Sequence, residues 1–225
     1  MLQKRTLPTV VFAFLLIASL AAAQATHEGV TTINGGRSTI YLKGAPQTIT
    51  PAAQPSAGLI KIFSNLGSGS NVYDPVAGTG VLGRNVPGQP RPEWLAFAFT
   101  PVADHVVQQI QVGATYVSGT NELFVSLNDD NAGLPGMALH TWHFVNLPTF
   151  GTCCTLQTAK YKTGIPVTGG TQYWVVLRTA TGTSDTWDVW NNDFNGQQGK
   201  FSNNLGSGWV DGGIQQQGAF GVFGQ

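Results

Sequence analysis

From Leu59 onward the chain is a succession of short runs in which large apolar or β-branched residues alternate with small or polar ones, each closed by Gly, Asn, Asp or Pro. The runs predict strands at residues 93–100, 106–116, 122–127, 137–147, 172–179, 186–191 and 219–223. Within them Trp94, Ala96 and Ala98 fall on one face and Leu95, Phe97 and Phe99 on the other, while Leu123, Val125 and Leu127 alternate with Phe124 and Ser126. No segment carries a convincing helical stripe. The nearest, VVQQIQV at 106–112, suits a half-polar strand through Val106, Ile110 and Val112, and Gly113 follows at once. Strands at short intervals with no helices between them predict an all-β fold, an antiparallel two-sheet β-sandwich of jelly-roll type.

The pattern before Leu59 is different. Lys4 and Arg5 begin a short cationic start, residues 10–20 are apolar, and Ala21-Ala22-Ala23 precede Gln24, the layout of a secretory signal peptide spanning 1–23. The apolar run is shorter than the ~20 residues that cross a bilayer, so a soluble, secreted mature chain with no membrane span is expected. Residues 24–58 carry few large apolar groups and read as an extended arm or linker, with 38–42 as a lone edge strand. Residues 59–225 then form a single sandwich domain.

Composition narrows the function more than the fold. Hydrophobic residues make up 42% of the 225, with twelve Phe and six Trp, enough for a sizeable core. Lys and Arg total eleven; without Lys4 and Arg5 nine remain against eleven acids, so no basic surface is on offer to nucleic acid or anionic lipid. Twenty-nine Gly and twelve Pro are scattered without period, as many tight turns require.

Two internal features stand out. Phe63-Ser-Asn-Leu-Gly-Ser-Gly69 returns as Phe201-Ser-Asn-Asn-Leu-Gly-Ser-Gly208, either a pair of ligand loops or one good turn used twice. Leu127-Asn-Asp-Asp-Asn-Ala-Gly-Leu-Pro-Gly136 joins a strand end to an Asn/Asp cluster and a turn. With Phe63 to Leu66, Tyr73-Asp74, Ala96 to Pro101, Tyr173 to Leu177, Trp187 and Ala219 to Gly224, this turn resembles the secreted bacterial choice-of-anchor domains, of the choice-of-anchor R type, across nearly all of 59–225. The resemblance implies a β-sandwich exported to the surface or surroundings of a bacterium and carries no catalytic residues. The end of the chain, Phe220 to Gln225, has neither the spacer, the apolar tail nor the basic end of an anchor, which favours free secretion.

Candidate chemistry is sparse. Cys153 and Cys154 are the only cysteines; in an oxidising compartment a vicinal disulfide is expected, with free thiols or links to another chain as alternatives. Closing almost no loop, such a bond adds little stability through chain entropy. His140 and His143, three apart on a strand, point to opposite faces and do not share a zinc, and His27 and His105 have no catalytic team. Asn128, Asp129 and Asp130 offer oxygen ligands to calcium or, equally, the hydrogen bonds of a turn. The segment 185–193 is the richest: Trp187, Asp188, Trp190, Asn191 and Asp193 combine indoles, carboxylates and amides, as a sugar-binding surface would, although a core Trp beside a wet strand edge has the same pattern.

These readings lead to a non-catalytic extracellular binding, adhesion or matrix component, directed at polysaccharide or cell envelope. The rivals are a secreted polysaccharide hydrolase acting through aspartates and a surface protein that self-assembles through its edge strands.

Overall fold

The computed structural model describes residues 29–34, 37–42, 48–89, 91–181 and 184–225; residues 1–23, expected to be a signal peptide, and His27 lie outside them. Seventeen strands follow one another: β1 (Gly29–Asn34), β2 (Arg37–Leu42), β3 (Thr48–Ile49), β4 (Ile60–Ser64), β5 (Ala77–Leu82), β6 (Trp94–Phe99), β7 (His105–Val112), β8 (Ala114–Ser118), β9 (Glu122–Asn131), β10 (Leu134–Val145), β11 (Thr152–Cys153), β12 (Gln157–Val167), β13 (Tyr173–Arg178), β14 (Trp187–Asn191), β15 (Gln198–Asn204), β16 (Trp209–Gln216) and β17 (Phe220–Gly224). No helix occurs among the described residues, so the all-β expectation holds.

One layer is a six-stranded antiparallel sheet in the order β10-β9-β13-β6-β15-β16. The facing layer is divided between a four-stranded sheet, β12-β7-β17-β4, and a five-stranded one, β1-β2-β5-β14-β8. The predicted strand 106–116 is the hinge between them: it breaks at Gly113, with β7 in one sheet and β8 in the other. Gly113 N–H donates to the Ala219 carbonyl at 2.9 Å and its carbonyl accepts from Asn191 N–H at 2.8 Å. The Tyr73 ring lies so close that a Cβ at this position would sit 2.8 Å from it, which is why glycine occupies the crossing.

The alternation read from sequence sets the core. Leu95, Phe97, Phe99, Leu123, Val125, Leu127, Val175 and Leu177 face inward and meet Val107, Ile110, Val112, Trp190, Phe220 and Val222 of the other layer. Phe97 packs edge-on to Trp190 at 5.0 Å and against Phe201 at 5.2 Å. Eight strands lie outside the predicted runs: β1, β3, β4, β5, β11, β12, β15 and β16. β5 reads AGTGVL, poor in strand formers, yet is buried along its length; Gly78 is pressed against Val189 and the Trp190 carbonyl, where no side chain fits. β4, β12, β15 and β16 carry Gly, Lys, Gln or Pro at positions where an apolar alternation would show. The Asn/Asp cluster expected as a turn is instead the end of β9, paired with the start of β10, and the hairpin loop between them is only Ala132-Gly133, both with positive φ, 52° and 84°, the combination that matches strand twist.

In the segment read as an arm, described residues join the sandwich. β2 pairs with β5 and buries Ile40, and β3 pairs in parallel with β11. Residues 53–56 lie over β7 because that strand buries two glutamines: the Gln109 side-chain oxygen accepts from Ser56 N–H and hydroxyl, and the Gln111 amide donates to the Ala53 carbonyl. Buried amides need partners, and this stretch supplies them to the Gln109 oxygen and the Gln111 nitrogen.

Candidate binding site

The outer face of the six-stranded sheet ends in a row of planar side chains. Pairing sets His143 opposite Phe124 and Phe124 opposite Arg178. Leu177 pairs with Leu95, so Arg178 stands beside Trp94, and Asn204 follows on the far side of Trp94. The His143 ring stacks on Phe124 at 4.4 Å with 12° between planes. The Arg178 guanidinium carbon lies 4.7 Å from the Phe124 ring centre and 5.9 Å from that of Trp94. Each plane is therefore held by its neighbour, and the Trp94 indole N–H is tied to the Thr179 hydroxyl at 3.2 Å.

Beside Trp94 opens a cleft of about 140 Å³ whose walls include Arg84, Pro92, Trp94, Thr179, Asn204 and Gly206. One wall is the second copy of the sequence repeat. Asn204 Oδ1 accepts the N–H groups of Gly206 at 2.9 Å and Gly208 at 3.3 Å, folding 204–208 into a tight loop with φ of +94° and +120° at the two glycines. The first copy also borders a cavity, of about 280 Å³, through Ser64, Leu66, Gly67, Ser68 and Gly69, roofed by residues 51–55. Both copies are thus cavity walls as well as turns.

The segment 185–193 is placed differently from a sugar-binding surface. Asp188, Trp190, Asn191 and Asp193 are buried, and Trp187 is half-buried against Ile40, Phe150 and Val189. Trp187 and Val189 share one face and Asp188 and Trp190 the other, as alternation requires, but β14 is an inner strand of its sheet and both faces are covered. The correction has a plain cause: indole and amide side chains in this strand complete the core and its polar seams. Trp190 donates to the Ala219 carbonyl, and Asn191 bonds the Thr115 hydroxyl and the Asp74 carbonyl. Asp193 accepts from Asn195 and Gln197 N–H of its own loop, and burial nevertheless raises its carboxyl. Asp188 has no hydrogen-bond partner on either oxygen; burial first, and the Glu122 charge second, push it well above the usual carboxylate range.

Asn128, Asp129 and Asp130 do not converge. Asn128 and Asp130 alternate with Asp129 along β9 and so face the other way. Asn128 bonds the Ser126 hydroxyl and the Gly136 carbonyl. Asp130 accepts from Gly133 N–H, the Gln172 amide and the buried Trp174 indole. Desolvation works to raise Asp130, but these bonds and Lys200 outweigh it and hold the carboxyl below its ordinary value. No group of three or more His, Cys, Asp or Glu among the described residues is arranged to hold a metal.

Cys153 and Cys154 are joined to each other, with a cis peptide bond between them. The pair is buried beside Val72, Tyr73, Leu156 and Ala219, so it braces the loop from within instead of facing a ligand. The Tyr73 hydroxyl donates to the Thr152 carbonyl at 3.1 Å, and burial raises this phenol despite a further bond to Thr155. His140 stacks on Tyr161 and His143 pairs with Glu122 at 3.2 Å, on opposite faces as the spacing requires.

The site roles absent from the sequence reading are those of Trp94 and Arg178; the 204–208 loop belongs to the second repeat copy, which the sequence offers as a ligand loop or a reused turn. The alternation puts Trp94 and Phe124 on the face opposite Leu95, Phe97, Leu123 and Val125, but Trp174 on that same face is buried, so alternation alone does not separate a binding aromatic from a packing one. Comparison with protein-family models, with curated proteins and with solved structures finds no match for this chain.

Proposed function

We propose that the chain is a secreted bacterial β-sandwich that holds extracellular carbohydrate without processing it, a binding or matrix component related to the choice-of-anchor R domains it resembles. The observation that carries this reading is the setting of Trp94. Its indole is locked by Thr179 and by the stack of Arg178, Phe124 and His143, and it borders a cleft of about 140 Å³, room for a single sugar ring, with the Asn204 loop opposite. A pre-set aromatic plane gives a pyranose its apolar contact with little entropy left to lose, and neighbouring amide and backbone groups take its hydroxyls. The cationic start and apolar run at 1–20 and the oxidised cysteine pair agree with an exported protein.

A hydrolase acting through aspartates has less support. Asp188 is buried and Asp193 is tied to its own loop, and neither lines the Trp94 cleft. The test incubates the purified secreted protein with insoluble polysaccharides and cell envelopes, with and without chelator, and assays bound protein and soluble sugar. Retention without sugar release, unaffected by chelator and lost in Trp94→Ala, is the expected result. Sugar release that disappears in Asp188→Asn would establish the hydrolase instead, and absence of retention on every polymer would remove the binding reading.

A further inference from the structure

Resting on the reading of Trp94 as a sugar platform, we propose that the carbohydrate is acidic: a chain of uronate sugars whose carboxylates are received by Arg84 inside the cleft and by Arg178 beside it. Two arginines flank Trp94, and no acidic side chain lines the cleft. Among the described residues neither arginine is ion-paired with a carboxylate, and Glu93, next to Trp94 in the chain, is buried and accepts from Ser38 N–H.

The acids nearby in the chain are turned elsewhere. Asp185 accepts from the N–H and hydroxyl of Thr120, Glu122 faces His143, and Asp211 on β16 accepts from Gly213 N–H. Arg178 is the telling group. Stacked between Phe124 and Trp94, it donates to the Thr179 carbonyl at 3.3 Å, one bond against the five N–H donors of a guanidinium. The remaining donors lie along the edge of the plane, the geometry that meets a carboxylate in two parallel bonds. Stacking also strips water from the cation, and desolvation pulls its pKa down. A half-buried cation with no counter-charge is an unfavourable arrangement that an arriving anion relieves. A neutral sugar would use Trp94 and leave both arginines unanswered.

The experiment measures retention of the secreted protein on a polyuronate, on the same polymer after reduction of its carboxyls to alcohols, and on a sulfated neutral glucan. The polyuronate is expected to bind about tenfold or more tightly than its reduced form, since a charge-assisted bidentate contact is lost on reduction. That preference should fall in Arg178→Gln and in Arg84→Gln, while Trp94→Ala abolishes retention on both polymers. Arg84 is exposed, so its variant carries the test even if Arg178→Gln disturbs the stack. Equal binding of the polyuronate and its reduced form overturns the acidic ligand and leaves the sugar platform standing. A sulfated glucan that binds as tightly as the polyuronate overturns the assignment of a carboxylate, and failure of all three polymers to bind overturns the platform itself.

Discussion

The same strands of the six-stranded sheet present two faces with opposite work. On the inner face Leu95, Phe97, Phe99, Leu123, Val175, Leu177 and Phe201 interlock with the other layer. On the outer face Trp94, Phe124, Arg178 and His143 stack on one another at the sheet's end, and further along the same face Trp174 is buried against Ala96, Ala98 and Val176. Alternation alone generates both, because successive side chains in a strand leave on opposite sides. The difference teaches where stability and recognition separate: inner residues are irreplaceable to the fold, and outer residues at the open end are free to serve a ligand.

The sharpest way to break the contrast is at its centre. Phe97→Ala removes a ring packed against both Trp190 and Phe201 and should cost ~3–5 kcal/mol of unfolding free energy, read by denaturant titration. A loss under ~1 kcal/mol would mean that the inner face is not the folding core. Asp130→Ala is next. It strands the N–H of the buried Trp174 indole and the Gln172 amide, and a loss of ~1–3 kcal/mol is expected by the same measurement.

pH separates the two acids. Asp188 has a folded-state pKa raised above its unfolded value of about 3.9, so the folded chain keeps a proton that the unfolded chain has lost. Its contribution is complete below that value and is lost as pH rises through the folded-state value. Asp130 is lowered, so its contribution is present above about pH 3.9 and is lost as pH falls through the folded-state value. Melting temperature against pH should therefore flatten on the neutral side in Asp188→Asn and on the acid side in Asp130→Asn. Parallel curves for all three proteins would contradict this assignment. The smallest stability effect belongs to Trp94→Ala, which should change unfolding free energy by less than ~1 kcal/mol while abolishing retention on polysaccharide; a large loss of stability would place Trp94 with the core.

Much of this was legible in the residues one at a time. The two faces of β6, β9 and β13 follow from period-two alternation, the chain reversal near Gly133 from its turn residues, and the opposite directions of His140 and His143 from their spacing, while the strand role of residues 128–131 was not legible. The joined cysteine pair was one of the alternatives that adjacency left open. The site was less legible. The segment 185–193 looked like a binding surface because its residue types suit sugars, and composition cannot tell a residue that meets solvent from one that meets another sheet.

By itself, then, the order of apolar and polar residues determined the strand class, the face each side chain takes within a strand, and the turns, since these depend on covalent geometry and near neighbours. Only the tertiary structure decided which strands are inner and which are edges, and so which faces are covered. It drew β2 onto β5 and residues 53–56 onto β7, enclosed Asp188, and brought Arg84, Trp94, Thr179 and Asn204 from separate segments to one cleft. Burial is a property of what comes to lie opposite, and those partners are tens of residues away along the chain.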